Sequence, residues 1–266
     1  MEITASMVKD LREKGISKAA KKAERIAAEG LANIYVKGDA AAVVELNSET
    51  DFVAKNAEFK ELLDKIGEAI LKGKPSTLEE ALELKSGKDT LNDLIVNATA
   101  KIGEKISLRR FEIVGKESAD IFGAYKHMGG KICSLVVLKN SDNAEVAMDV
   151  AMQIAAVNPS YVKQADIPAE AIEKETAIQT EVVKNDPKLA GKPEAALKGI
   201  IAGKVNKVFK ELCLNDQEFV KDPSLTVERY LNNNNTSVVR FVRYGVGEGM
   251  AHREENFAEE VAKQMQ

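Results

Sequence analysis

The strongest constraint on the fold is a strand-turn-helix pattern that occurs twice in the chain. AVVELNSETDFV (42–53) and SLVVLKNSDNAE (134–145) each run from an apolar strand through Asn-Ser and an acidic residue toward a helix. A second pair of segments, ISLRRFEIVG (106–115) and TSVVRFVRYGVG (236–247), also match each other, and each is predicted to form the later strand of its half. This repeat has no short solenoid period, so the sequence predicts an internal duplication into two related β-β-α-β halves.

Each half begins with a predicted β-hairpin, because two apolar, β-rich runs flank a short turn. The turns are Gly38-Asp39 in the first half and Gly129-Gly130 in the second. The flanking runs are LANIYVKG (31–38) with AAAVVEL (40–46), and IFGAYKHM (121–128) with KICSLVVLK (131–139). The sequence therefore predicts an α+β fold with antiparallel sheets.

Apolar residues at helical spacing predict one helix after each hairpin, over 52–71 and over 140–156. The apolar stripes are Phe59, Leu62, Ile66 and Ile70 in the first helix, and Val146, Val150 and Ile154 in the second. Helices are also predicted over 3–14 and from Ser17 to Ala28. The tail, 253–266, is predicted to be an amphipathic C-terminal helix.

The second half carries an insert that predicts an antiparallel helical hairpin at about 167–213. Its two runs, 167–185 and 193–213, are separated by Asn-Asp-Pro and Gly-Lys-Pro turns. Two interpretations remain open for this hairpin. It either docks a partner, including a second copy in a homodimer or a 2:2 complex, or it folds back on its own sheet.

Composition excludes several classes of protein. The 266 residues carry 38 basic and 42 acidic side chains, a net charge of -4, whereas a dedicated nucleic-acid binder usually has a basic excess. Two cysteines cannot build a disulfide framework, and no apolar run approaches the ~20 residues that span a bilayer. We therefore expect a cytoplasmic protein that binds neither nucleic acid nor membrane directly.

Motifs for covalent chemistry are missing from the sequence, which contains no GxxxxGK[ST], no HExxH and no paired CxxC. GVGEG (245–249) leaves too little chain for a dinucleotide fold, so we interpret it as a strand-to-helix turn. A pairing of Cys133 with His127 or His252 remains open, although Cys133 lies in an apolar strand. The sequence thus favours a binding protein without metal or cofactor over an enzyme.

Phe52 follows five polar residues at the end of a predicted strand, and two interpretations of it remain open. Because Phe52 precedes Phe59 by seven residues, helical periodicity places both on one core-facing stripe. In the other interpretation, Phe52 is exposed and contacts another protein.

A resemblance to a known family favours the exposed alternative. ELNSETDFVAK (45–55) closely resembles the central signature of the elongation factor Ts family, the guanine-nucleotide exchange factors of elongation factor Tu. The likeness extends over nearly the whole chain in the expected order. Further matching segments are ITASMVKDLRE, KAAKKAERIAAEG, KIGEKISLRR, the Tyr125-x-His127 hairpin with GGKI, and FVRYGVGEG.

The resemblance implies that Thr50, Asp51, Phe52 and Val53 enter elongation factor Tu and disturb its Mg²⁺ and phosphate site, so that GDP leaves. It further implies contacts from His127 and, through the C-terminal helix, Phe257. The family's fold has two related α/β halves, a helical hairpin inserted in the second and a C-terminal helical module. No bound cofactor and no covalent chemistry are implied.

The chain departs from the family pattern near its start. Members open with a three-helix module, whereas LREK (11–14) here continues directly into GISKAAKK (15–22). This leaves open an alternative function, a partner-binding or assembly protein of the same fold that promotes no exchange. The resulting regions are a shortened N-terminal helical segment (1–30), the two core halves (31–115 and 116–250) and a C-terminal helical module (251–266).

Overall fold

The computed structural model describes residue 17 and residues 19–189 and 191–251. The predicted helices over 3–14 and 253–266, with Phe257 and His252, lie outside the described residues. The described chain divides into two compact units. The first comprises the described residues up to 117 together with 126–133 and 244–251, and the second comprises 118–125 and the described residues of 134–243.

The first half contains a three-stranded antiparallel sheet whose order is β1-β2-β5. Its strands are β1 (Glu29–Lys37), β2 (Ala40–Ser48) and β5 (Ser107–Gly115). The helices between β2 and β5 are α1 (Asp51–Lys55), α2 (Ala57–Gly73), α3 (Leu78–Glu83) and α4 (Leu91–Ile102), with a small hairpin of β3 (Lys85–Ser86) and β4 (Asp89–Thr90) before α4. The predicted β-β-α-β plan is confirmed here.

The second half repeats this plan with β6 (Ile121–His127), β7 (Ile132–Leu138), α5 (Ala144–Val157) and β10 (Val238–Gly245), in the sheet order β10-β7-β6. Between α5 and β10 lie α6 (Ala169–Lys184), α7 (Glu194–Leu212), β8 (Glu218–Phe219), β9 (Asp222–Thr226) and α8 (Val227–Asn233). The predicted helical hairpin is therefore present as α6 and α7. An α+β fold with two related halves is confirmed.

The core of the first unit forms where α2 packs on the sheet. All four residues of its predicted stripe are buried: Phe59, Leu62, Ile66 and Ile70. On the same helix Gly67 allows Tyr35 of β1 to lie against the backbone, and a Cβ at Gly67 would lie 1.9 Å from Cε2 of Tyr35. The Tyr35 hydroxyl is held by the Leu63 carbonyl at 3.0 Å.

The helix predicted from Ser17 to Ala28 is wrong beyond its first turn. Residues 21–25 form turns with i to i+3 hydrogen bonds, and β1 begins at Glu29. One physical reason is competition for carbonyl groups, because the Lys105 ammonium donates to the Ala23 and Arg25 oxygens at 2.6 and 3.0 Å. The alanine-rich face also offers little large apolar surface to hold a helix against a core.

Gly67→Ala is expected to lower the free energy of unfolding by about 1–3 kcal/mol, because the added methyl group must displace the Tyr35 ring. Urea unfolding measures this loss. The matched control is Gly199→Ala in α7, where a Cβ meets nothing within 4 Å. That control should raise stability by up to ~1 kcal/mol through helix propensity, and equal effects at both sites would contradict the packing around Gly67.

Candidate functional site

The residues singled out by the sequence, 50–53, form the turn between β2 and the first helix; we call them the tip. Thr50 is the N-cap of α1, and its hydroxyl oxygen accepts from the Val53 amide at 3.4 Å. Asn56 ends this five-residue helix and caps α2, accepting from the Glu58 amide at 2.9 Å. The continuous helix predicted over 52–71 is therefore wrong, because Asn56 adopts an extended backbone and interrupts it.

The interruption at Asn56 separates Phe52 from the core stripe. Val53 and Ala54 are buried in the core of the first unit, whereas the side chain of Phe52 is 80% exposed. The core-facing interpretation of Phe52 is therefore wrong. An exposed aromatic side chain on a short, anchored helix contributes little to its own fold and is available to another molecule.

Two carboxylates connect the start of the tip to the loop after α4. Glu104, just after α4, accepts from the Thr50 amide at 3.0 Å and from the Thr50 hydroxyl at 2.7 Å. Glu49, next to Thr50, accepts from the Lys105 amide at 2.6 Å. The neighbouring pairs 49–50 and 104–105 thus exchange side-chain-to-backbone hydrogen bonds, an arrangement that we call the clamp.

Asp51 and Lys55 form an ion pair one helical turn apart, with 2.6 Å between Lys55 Nζ and Asp51 Oδ2. The hydrogen bond from Lys55 lowers the pKa of Asp51, and the nearby charge of Lys131 lowers it further. Asp51 therefore stays ionised at lower pH than an ordinary aspartate does. The Lys55 ammonium also lies 5.8 Å from the centroid of the Phe52 ring.

His127 lies on a different element, at the end of β6, where it is exposed. The turn after it approaches β1 closely. Gly130 has φ +110°, and a Cβ there would lie 2.7 Å from the Ala32 carbonyl oxygen, so only glycine fits. The Ala32 amide donates to the Gly130 oxygen at 2.8 Å.

Met128 is a feature that the sequence analysis did not identify. Its side chain is 73% exposed and its backbone has φ +48°, a left-handed conformation that is unfavourable for a residue with a Cβ. The turn signal Gly129-Gly130 predicts the hairpin but says nothing about exposure of the preceding side chain. Lys131, after the turn, pairs with Glu29 of β1.

The burial of Cys133 argues against its pairing with His127, which the sequence leaves open, and His252 lies outside the described residues. Cys133 is buried and its thiol lies 3.2 Å from the Ala32 carbonyl oxygen, whereas His127 is exposed. Burial raises the pKa of Cys133 to about 12, which keeps it a neutral thiol. The other cysteine, Cys213, is also buried, and burial raises its pKa to about 11.

The GVGEG segment forms a turn at the end of β10, as predicted, and the helix expected after it lies outside the described residues. This turn binds a buried carboxylate. The Gly247 amide donates to Oε1 of the fully buried Glu45 at 2.9 Å. The Glu45 charge is balanced by Arg109 at 2.9 Å and Arg110 at 2.6 Å. The carboxylate that occupies this backbone donor belongs to the protein itself, so the turn has a structural role.

Within the described ranges, no group of three or more His, Cys, Asp or Glu side chains has an arrangement that could hold a metal ion. Over the same part of the chain, no helix combines the length and apolar character needed to cross a bilayer.

Comparison with known proteins gives a consistent match. The sequence model of the family described as "Elongation factor TS" matches residues 49–248. The chain is 51% identical over 255 residues to Elongation factor Ts of Limosilactobacillus reuteri and 51% identical over 257 residues to that of Acholeplasma laidlawii. It is 49% identical over 255 residues to that of Limosilactobacillus fermentum, and each comparison covers 96% of this chain and 86% of the relative.

Both thiols are expected to react slowly with a thiolate-directed reagent in the native protein at pH 8, because burial keeps them protonated. Ellman's reagent should label two cysteines only after unfolding in guanidinium. Rapid labelling of Cys133 in the native state would contradict its burial and would reopen a role as a nucleophile.

Proposed function

Since the chain belongs to the elongation factor Ts family, we propose that it is a guanine-nucleotide exchange factor acting in the cytoplasm. It binds GDP-bound elongation factor Tu, disturbs the Mg²⁺ and phosphate site of that GTPase, and accelerates GDP release. It works through contact energy alone and makes or breaks no covalent bond. The observation that carries the proposal is the exposed Phe52 side chain on an anchored helix.

The chemistry of the tip supports insertion into a protein partner. Phe52 supplies apolar surface, and the flanking Asp51 and Lys55 supply one charge of each sign at the base of the ring. Val53 and Ala54, on the opposite face of α1, pack in the core of the first unit. The helix that carries Phe52 is therefore held in place when the ring contacts a partner. A rigid insert loses little conformational freedom on binding.

GDP in a GTPase is held largely by Mg²⁺ and by backbone donors around its phosphates. A side chain that displaces those donors weakens nucleotide binding without competing for the base. Each tenfold loss of GDP affinity requires ~1.4 kcal/mol of coupling. Burial of one exposed phenylalanine supplies about 2–3 kcal/mol, a large part of the ~4 kcal/mol that a thousandfold effect requires.

Such coupling is reciprocal, so bound nucleotide must weaken the grip of the factor on its partner by the same factor. Incoming GTP therefore releases the factor, and the cycle is reversible. Thr50, Asp51, His127 and Phe257 are proposed as further partner contacts, whereas Val53, whose side chain is buried, supports the tip from within the core. Exposed Met128, which follows His127 in the chain, is added to them.

A second candidate function rests on the helical hairpin. Ile172, Ile178 and Val182 of α6 are exposed, although they are large apolar residues. Self-association through this hairpin would give a homodimer or a 2:2 complex with the partner. In the non-exchanging alternative the chain binds or assembles without promoting release, and co-elution with the partner at an unchanged GDP-release rate would favour it.

Phe52→Ala is expected to lower the GDP-release rate at saturating factor by about 30–100-fold, because the variant loses the burial energy of one phenylalanine. The measurement is stopped-flow release of a fluorescent GDP from elongation factor Tu. The thermal unfolding midpoint should differ from that of the parent by no more than a typical surface substitution causes, since the ring is exposed in the free protein.

The matched control for this variant is Val36→Ala, which shortens another exposed apolar side chain of the first unit. It should release GDP at the parent rate. A Phe52→Ala variant as active as the parent would remove the basis of the proposal, as would a parent protein that leaves release unchanged at saturation.

A further inference from the structure

We propose that Glu104 is the positioning residue of the tip, which fixes α1 in the orientation that presents Phe52. The inference rests on the proposed exchange function and adds to it a residue outside the family signature at 45–55. Glu104 is separated from Thr50 by 54 positions in sequence and reaches the tip from the loop after α4.

Both carboxylate oxygens of Glu104 are committed to one residue of the tip. Oε2 accepts from the Thr50 amide at 3.0 Å, and Oε1 accepts from the Thr50 hydroxyl at 2.7 Å. Hydrogen bonds to an ionised carboxylate are about twice as strong as neutral ones. The two contacts together fix both the backbone and the side-chain rotamer of Thr50.

The hydroxyl of Thr50 links Glu104 to the first turn of α1. A hydroxyl has one proton, and here Thr50 donates it to Glu104. Its lone pairs are thereby directed away from Glu104, and one of them accepts from the Val53 amide at 3.4 Å. The carboxylate thus orients the N-cap that starts the helix carrying Phe52.

Besides Glu104, the start of the helix is held by the Ser48 hydroxyl, which donates to the Thr50 carbonyl at 2.9 Å, and by its two buried side chains. Five residues are far too few for a stable isolated helix. Only Val53 and Ala54 of α1 are buried. Phe52, exposed in the free protein, adds almost nothing to its stability, so the direction of the ring depends on how the helix is anchored.

The other half of the clamp strengthens this interpretation. Glu49 accepts from the Lys105 amide at 2.6 Å and pairs with Arg25 at 3.3 Å. The loop that carries Glu104 is therefore held by the residue that precedes Thr50. A displacement of either loop must break hydrogen bonds in both directions.

The test compares Glu104→Ala with Glu104→Gln, Thr50→Val and the control Glu61→Ala, which removes an exposed glutamate from α2 of the same unit. Two quantities are measured on the full chain. The first is the GDP-release rate from elongation factor Tu at saturation, with the half-saturating concentration recorded separately. The second is amide hydrogen exchange over residues 51–56 of the free protein.

Glu104→Ala should lower the saturated release rate by about tenfold and speed exchange over 51–56 by a similar factor, corresponding to ~1.4 kcal/mol. Thr50→Val, which keeps the shape but removes the hydroxyl, should reproduce most of both effects. The double variant Glu104→Ala/Thr50→Val should lose little more than either single variant, because both substitutions remove the hydrogen bond between Glu104 and the Thr50 hydroxyl. Glu104→Gln should lose less than Glu104→Ala, since its amide oxygen can still accept from the Thr50 N–H, whereas its NH2 group cannot accept the proton of the Thr50 hydroxyl.

Three results would overturn the assignment. The first is a Glu104→Ala variant with the parent rate at saturation and unchanged exchange over 51–56, and the second is an equal loss in Glu61→Ala. Exchange that speeds up over the whole first unit would mean general destabilisation and would also overturn it. The hydrogen-exchange measurement needs no partner. If the parent protein fails to release GDP, the proposed function falls while exchange over 51–56 still decides whether Glu104 orders α1.

Discussion

The structure of the first unit depends on the burial of strand β2, whose residues 41–48 are all buried between β1 and β5. The strand carries one charge in this environment, the Glu45 carboxylate, which is stable there because Arg109, Arg110 and the Gly247 amide surround it. Removal of one partner from such a group would leave an uncompensated buried charge, which is strongly destabilising. The position of β2 is therefore fixed, and so is the position of its last residue, Ser48, from which the chain continues into the tip.

Four residues after the end of β2, the chain exposes one of its largest apolar side chains. Burial falls from complete at Ser48 to 80% exposure at Phe52. Thr50, Glu49 and their partners in the 104–105 loop supply the hydrogen bonds that make this abrupt change possible. An anchored base and an exposed ring are the two properties that a side chain needs to transmit contact energy into another protein.

The repeated strand-turn-helix pattern was sufficient to predict both β-β-α-β halves, since alternation and helical spacing are local signals. The break at Asn56 was not predicted, because the apolar residues of FVAKN and AEFKELL follow one helical period and so indicate a single helix. The role of Asn56 as an N-cap depends on its backbone conformation as well as on the Asn-x-Glu spacing. The Glu104 contact was not predictable, because a polar pair 54 residues apart leaves no periodic trace. The exposure of Phe52 came from family resemblance, since periodicity favoured the core.

The most direct test of the central claim is to observe the environment of residue 52 in the complex. With 4-fluorophenylalanine at position 52, the ¹⁹F resonance should match a solvent-exposed ring in the free protein. It should shift on addition of nucleotide-free elongation factor Tu, and excess GDP should restore the free signal because the coupling is reciprocal. A resonance that stays at its free position while the two proteins co-elute would contradict the account.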